Sequence, residues 1–231
     1  MHKFMNRSIL LAACMFSLST TAVKASEFSA PAQVTDTRAS ISGAKVITIV
    51  SSYTGTMAIS PAGLVPATRS TSTIGQGGVQ CFDLAISAGA QLARLQLFNA
   101  DTSAAANLDL AVFDGPAGTG SNVGVSAGST SDEVVTLASP VAGTYSACIT
   151  AIATSGTVTY TLSSWVVAPA AIQTLRASGP RMVYAGSAAS VGLFWSVPAG
   201  ARYLGNLTYF DTRVAGSPVV LGSTVVFINS R

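Results

Sequence analysis

The stretch Gln80-Cys-Phe-Asp-Leu-Ala-Ile-Ser-Ala-Gly-Ala-Gln-Leu-Ala-Arg-Leu-Gln-Leu-Phe98, continued to Gly156-Thr-Val-Thr-Tyr-Thr-Leu-Ser-Ser-Trp165, decides the fold. Within it apolar and polar side chains alternate with a period of two. Phe82, Leu84 and Ile86 oppose Cys81 and Asp83, and Ala93, Leu95 and Leu97 oppose Arg94 and Gln96. Leu108, Leu110 and Val112 oppose Asp109, and Val158, Tyr160 and Leu162 oppose Thr157, Thr159 and Thr161. That period puts one face of a half-buried strand on a core and the other on solvent. Runs at 133–137 and 144–152 share it, Gly, Pro, Asn or Ser separate the runs, and no window of helical length carries the 3.6 period with caps. Six or more short strands in series predict a β-sandwich or jelly roll.

Outward from this block the pattern holds with different punctuation. Lys45–Val50 and Tyr53–Ile59 are β-rich, and the following segment to Gly78 reads as a loop with at most one edge strand. Ser26–Gly43 is polar and carries Pro31, so it reads as a linker. After Trp165 the run Ala168-Pro169-Ala170-Ala171 reads as a hinge. Strands are then expected near 172–177, 187–197, 203–210 and 219–228, with Trp195 as a core anchor. The chain is therefore expected to be all-β: a signal peptide (1–25), a linker (26–43), a jelly-roll-like sandwich (44–166) and a small sandwich (167–231).

Composition bounds the compartment and the chemistry. Hydrophobic residues make up 49% of the 231 and charged residues only 9%, so Ser, Thr, Gly and Ala supply most of the polar balance. His2, Lys3 and Arg7 precede an apolar run, Ser8–Ser19, too short to span a bilayer. Val23-Lys24-Ala25 then predicts cleavage between Ala25 and Ser26. A rival reading takes Leu11-Ala12-Ala13-Cys14 as a lipoprotein box with a lipid on Cys14. Removing 1–25 takes three of the 12 basic residues and none of the nine acidic ones, so the remainder is electroneutral. Nucleic acid is not an expected partner, and no transmembrane segment is expected after cleavage. The only histidine, His2, leaves too, and with it the means to build a Ser-His-Asp or Cys-His apparatus. No enzyme is expected.

Cys81 and Cys148 remain as an even pair in an oxidising compartment, and both fall on the less polar-averse side of their strands, which suits a disulfide between strands near the surface. A reactive thiol is the other reading, and it lacks a neighbouring base. Asp101, Asn107, Asp109 and Asp114, with Asp132 and Glu133 further on, supply hard oxygens of the kind calcium takes, but their spacing fits neither an EF-hand loop nor a nonapeptide repeat, and turn duty is the preferred reading. No cofactor is expected. Tyr145, Tyr160, Trp165, Tyr184, Trp195, Tyr203 and Tyr209 are read as packing before sugar stacking. Asn206-Leu207-Thr208 matches a glycosylation acceptor.

The segments QCFDLAISAGAQLARLQLFNADTS (80–103), NLDLAVFD (107–114), SAGSTSDEVVTLASPVAGTYSACI (126–149) and YTLSSWVV (160–167), in that order, resemble the C-terminal extension of secreted bacterial subtilisin-like serine peptidases, related to the pre-peptidase C-terminal domain. The tail RYLGNLTYF (202–210) to VVLGSTVVFIN (219–229) resembles the fibronectin-type-III-like unit that follows it. The resemblance spans about Lys45 to Asn229. It implies a secreted or periplasmic accessory role, contacting an extracellular protein, a polysaccharide or a secreted peptidase. The catalytic domain that precedes this extension in those peptidases is replaced by the leader, and no subtilisin triad motif is present. A detached part assisting a separate catalytic chain is the alternative.

Overall fold

The structure, a computed structural model, describes residues 28–37, 41–169 and 174–231. The expected cleavage site Ala25–Ser26, the lipid candidate Cys14 and the second half of the expected hinge lie outside these residues. Sixteen strands follow one another: β1 (Gln33–Asp36), β2 (Ser42–Val50), β3 (Gly55–Pro66), β4 (Thr68–Ile74), β5 (Val79–Ile86), β6 (Leu92–Gln96), β7 (Ala106–Phe113), β8 (Asn122–Ser126), β9 (Val134–Ala138), β10 (Gly143–Thr154), β11 (Val158–Val167), β12 (Leu175–Ser178), β13 (Met182–Val183), β14 (Ala188–Ser196), β15 (Arg202–Asp211) and β16 (Val219–Asn229). The fold is all-β, and among the described residues the only helical turns are the 3-10 turns Asn99–Asp101 and Pro116–Gly118.

Strands β4–β11 form one sandwich from contiguous sequence. Its sheets run β5-β10-β7-β8 and β4-β11-β6-β9, the strand order of an eight-stranded jelly roll. The inward sides of the alternating runs meet in one core, where Leu95, Leu108, Leu110, Ile149 and Tyr160 are fully buried.

The second sandwich corrects the expected boundaries. β2 pairs with β14 over its whole length, and β3 pairs with β15 and β13, so residues 42–66 belong with 175–229 and not with the block that follows them. The sheets are β12-β14-β2 and β1-β16-β15-β3-β13. Strands β2, β14 and β12 opposite β3, β15 and β16 reproduce the B-E-D and C-F-G pairing of an immunoglobulin-type sandwich. The jelly roll is thus inserted whole between the third and fourth strands of that sandwich. The segment read as a linker also has a structural part. Ser29 pairs with Val50, β1 then runs parallel to β16, and Val34 enters the core beside Trp195 and Tyr209. The expected loop after Ile59 is mostly strand. β3 continues through Pro61, with a bulge at Gly63, whose φ of +87° and approach to the Leu204 carbonyl leave no room for a Cβ.

The two sandwiches lie face to face. The outer side of the β4-β11-β6-β9 sheet rests on the outer side of the five-stranded sheet through Ala62, Leu92, Trp165, Val167, Leu204 and Phe227. This explains why the polar side of β11 is not wet: Thr161 and Ser163 are buried.

Candidate binding cleft

At one end of the jelly roll four connections converge around a wide cleft of about 1020 Å³ that is open to solvent over most of its extent. Gln76 lines it from the turn after β4, and Asn99, Thr102 and Ala104–Asn107 from the approach to β7. Ser129 and Thr130 come from the β8–β9 loop, and Ala153–Ser155 from the β10–β11 turn. Loop ends of sandwiches are the usual place for binding surfaces, because the sheets hold loops of free sequence in fixed positions.

The walls are tied to one another. The Asp132 carboxylate accepts from the Asn99 backbone N–H (2.9 Å) and from its Nδ2 (2.7 Å), while Asn99 Oδ1 accepts from the Ser131 N–H (2.8 Å). Ser131 Oγ, fully buried, donates to the Ala106 carbonyl at 2.8 Å. The Ser103 N–H donates to the Thr159 carbonyl, and the Thr159 N–H donates back to Ser103 Oγ. Gly77 and Gly78 bond Ala151 in the same reciprocal way. The lining itself is hydroxyl, amide and alanine, with no ionisable side chain among the described residues that form it. Asn107 Oδ1 is enclosed and has no donor, and leaving such an oxygen unmet costs about 1–3 kcal/mol. Such a lining offers a ligand hydrogen-bond donors and acceptors set among alanine methyls.

The acidic residues weighed for calcium are dispersed. Asp101 faces the seam between the sandwiches, Asp114 accepts from the Ser121 N–H inside its own turn, and Asp132 latches the cleft wall. Glu133 turns into the jelly roll, where Ser126 Oγ and the Gly128 N–H donate to it. Asp109 lies near enough to feel it: burial first, and then the Glu133 charge, raise the Asp109 pKa above the usual carboxylate value. The six do not converge on one point.

Cys81 and Cys148 are direct partners on β5 and β10 and are joined as a disulfide. The next pair on the same face is Asp83 and Ser146, and both pairs carry the Gly115–Gly118 turn. The Ala117 N–H donates to Asp83 Oδ1 (2.8 Å), the Gly118 N–H donates to Ser146 Oγ (2.8 Å), and that hydroxyl donates to the Gly115 carbonyl (2.6 Å). A Cβ on Gly118 would stand 2.9 Å from one sulfur and 3.2 Å from the other. Asp83 and Ser146 were missed in the sequence, although their two-residue offset from the cysteines was the available signal.

Of the seven aromatic residues weighed for stacking, six are buried, and only Tyr184 is exposed. Asn206 is also buried, with Nδ2 donating to Thr208 Oγ1 within the same sequon, so the glycosylation motif is out of reach. No helix among the described residues is long and apolar enough to cross a membrane.

No family model matches the chain, and no curated protein matches it. Among solved structures it is similar to PliG of Aeromonas hydrophila, a periplasmic lysozyme inhibitor of g-type lysozyme. Identity is 17%, covering 44% of this chain and 86% of that one, with a TM-score of 0.33. A likeness of that size assigns neither partner nor activity to this chain.

Proposed function

We propose that this chain is an exported, non-catalytic binding module that holds an extracellular protein or polysaccharide in the cleft at the loop end of its jelly roll. The observation that carries the reading is the cleft itself: braced walls and a lining of hydroxyls and amides suited to holding a ligand by hydrogen bonds. The Cys81–Cys148 disulfide fits an oxidising compartment outside the cytoplasm. The resemblance to a peptidase extension supports an accessory role and places secreted peptidases among the protein partners to try.

The test is retention of cell-envelope material and secreted proteins by the immobilised, disulfide-bonded chain beside an Ala105→Trp variant. Ala105 is exposed on the cleft wall, so the indole obstructs the cleft without entering the core. Wild type is expected to retain a component that the variant retains at least tenfold less. Equal retention by both, retention by neither, or hydrolysis of a retained polymer by the purified chain overturns the reading.

A further inference from the structure

The seam between the sandwiches gathers more cations than anions in a chain whose residues 26–231 are electroneutral. Three arginines, from β4, from β15 and from beyond the end of β16, converge on the single carboxylate of Asp101, whose side chain is only 5% exposed. Arg202 Nη1 is in direct contact with Oδ2, Arg231 Nη1 stands 3.2 Å from Oδ1, and Arg69 Nη2 stands 3.7 Å from Oδ2. A fourth guanidinium, Arg94, is buried on the same sheet face. It donates to Thr136 Oγ1 (2.9 Å) and Gln33 Oε1 (2.7 Å), both uncharged. The Asp132 carboxylate, brought in from the β8–β9 loop, is occupied by Asn99.

The three arginines differ in how firmly they are held. Arg202 is 8% exposed and its guanidinium lies 3.6 Å over the Phe98 ring, so packing fixes it. Arg69 and Arg231 have side chains 45% and 29% exposed. One carboxylate offers about four lone-pair sites, whereas each guanidinium brings about five N–H donors. Asp101 therefore leaves most of the donors on the two outer arginines unmatched by a negative charge. Planar guanidinium forks suit oxyanions in bidentate geometry, and sites at domain interfaces are a recurrent place for ligands.

We propose that the seam is an oxyanion-binding site, in which Arg69 and Arg231 take a carboxylate or sulfate group while Arg202 and Asp101 hold the floor. Asp101 then acts as a built-in competitor for the same donors. None of these arginines nor Asp101 lines the cleft, although Asp101 shares a turn with Asn99, and an oxyanion titration of the seam needs no ligand in the cleft.

Trp165 provides a local reporter, because its Nε1–H donates to the Arg202 carbonyl at 3.3 Å. The only other tryptophan, Trp195, lies in the immunoglobulin-type core and serves as an internal control. The experiment is a two-dimensional nitrogen–proton NMR titration of the full disulfide-bonded chain with inorganic sulfate and with glucuronate, each against chloride at equal ionic strength. A saturable shift of the Trp165 indole with either oxyanion, with Trp195 still, is the expected result. Arg69→Ala should weaken that binding at least tenfold, and Asp101→Asn should tighten it several-fold. Should Asp101→Asn fail to fold, the half-exposed Arg69→Ala still decides. No Trp165 response beyond that of chloride to either oxyanion, or an Arg69→Ala titration matching wild type, overturns the proposal.

Discussion

The two sandwiches bury similar cores by opposite routes. The jelly roll is one unbroken run, residues 68–167, and its face carries the disulfide. The immunoglobulin-type sandwich is split, and its central pairings join β2 to β14 and β3 to β15 across the whole insertion. Its first strand is laid parallel against its last. No disulfide joins its two parts among the described residues. Closing a long loop costs chain entropy before any contact repays it, and a folded insertion lowers that cost by holding its own ends, Thr68 and Val167, in place. The difference teaches that one repeated strand pattern can serve a sandwich built from contiguous sequence and one built from two distant segments.

The largest effect that would break this comparison is a dissection. A fragment of residues 67–168 is expected to melt cooperatively by circular dichroism, whereas residues 167–231 alone, without β1, β2 and β3, should give no cooperative transition. A folded 167–231 fragment would remove the dependence.

Next in size is the staple. Replacing Cys81 and Cys148 together with alanine releases a loop whose ends are 67 residues apart, worth up to ~4 kcal/mol through the unfolded chain. Chemical denaturation should show that loss. The Ala117 and Gly118 amides should exchange faster as well, because their turn rests on the bridge.

A smaller effect lies at high pH. Burial pushes the Tyr160 pKa up from 10.0 to about 12, and its hydroxyl donates to Gln80 Oε1 at 2.7 Å. A raised folded-state pKa favours the protonated form on folding. Its contribution is therefore full below about 10 and lost as pH rises through about 12. Tyr160→Phe should lose about 1 kcal/mol at neutral pH and should show a flatter alkaline dependence of stability; an unchanged slope would assign the alkaline loss elsewhere.

The smallest is Asp109→Asn. Burial and Glu133 both disfavour its charge, so the neutral amide should raise Tm by about 1–2 °C at pH 7. The gain should vanish in acid, where Asp109 is protonated in both states. A gain that persists in acid would point to packing rather than charge.

How much was legible in the sequence differs between the same two regions. In the jelly roll, Phe82, Leu95, Leu110 and Tyr160 declare their face by alternation, and Cys81 and Cys148 stand out because each lies opposite an apolar run. In the outer sandwich Trp195 was legible as a core anchor, but its partners were not. Val34 sits in a segment too polar to read as strand, and Pro61 argues locally against the strand that contains it. For the cleft, Asn107 and Asp132 were visible as candidate oxygens, while Asn99, Ser131 and Ala105 carried no signal of their own. Asp101 was read among possible metal ligands, because nothing local to it announces arginines about 30, 100 and 130 residues away.

The sequence by itself determined the all-β class, because a two-residue hydrophobic period survives in most of the jelly-roll strands and no helical period competes with it. It also supplied the pairing of two cysteines that folding makes cross-strand neighbours. Only the tertiary structure decided which strands share a sheet, that one sandwich is threaded into another, and that the polar side of β11 lies against a second core. Strand alternation specifies a face and not a partner. The insertion, the seam and its arginines rest on pairings with no signature near either strand.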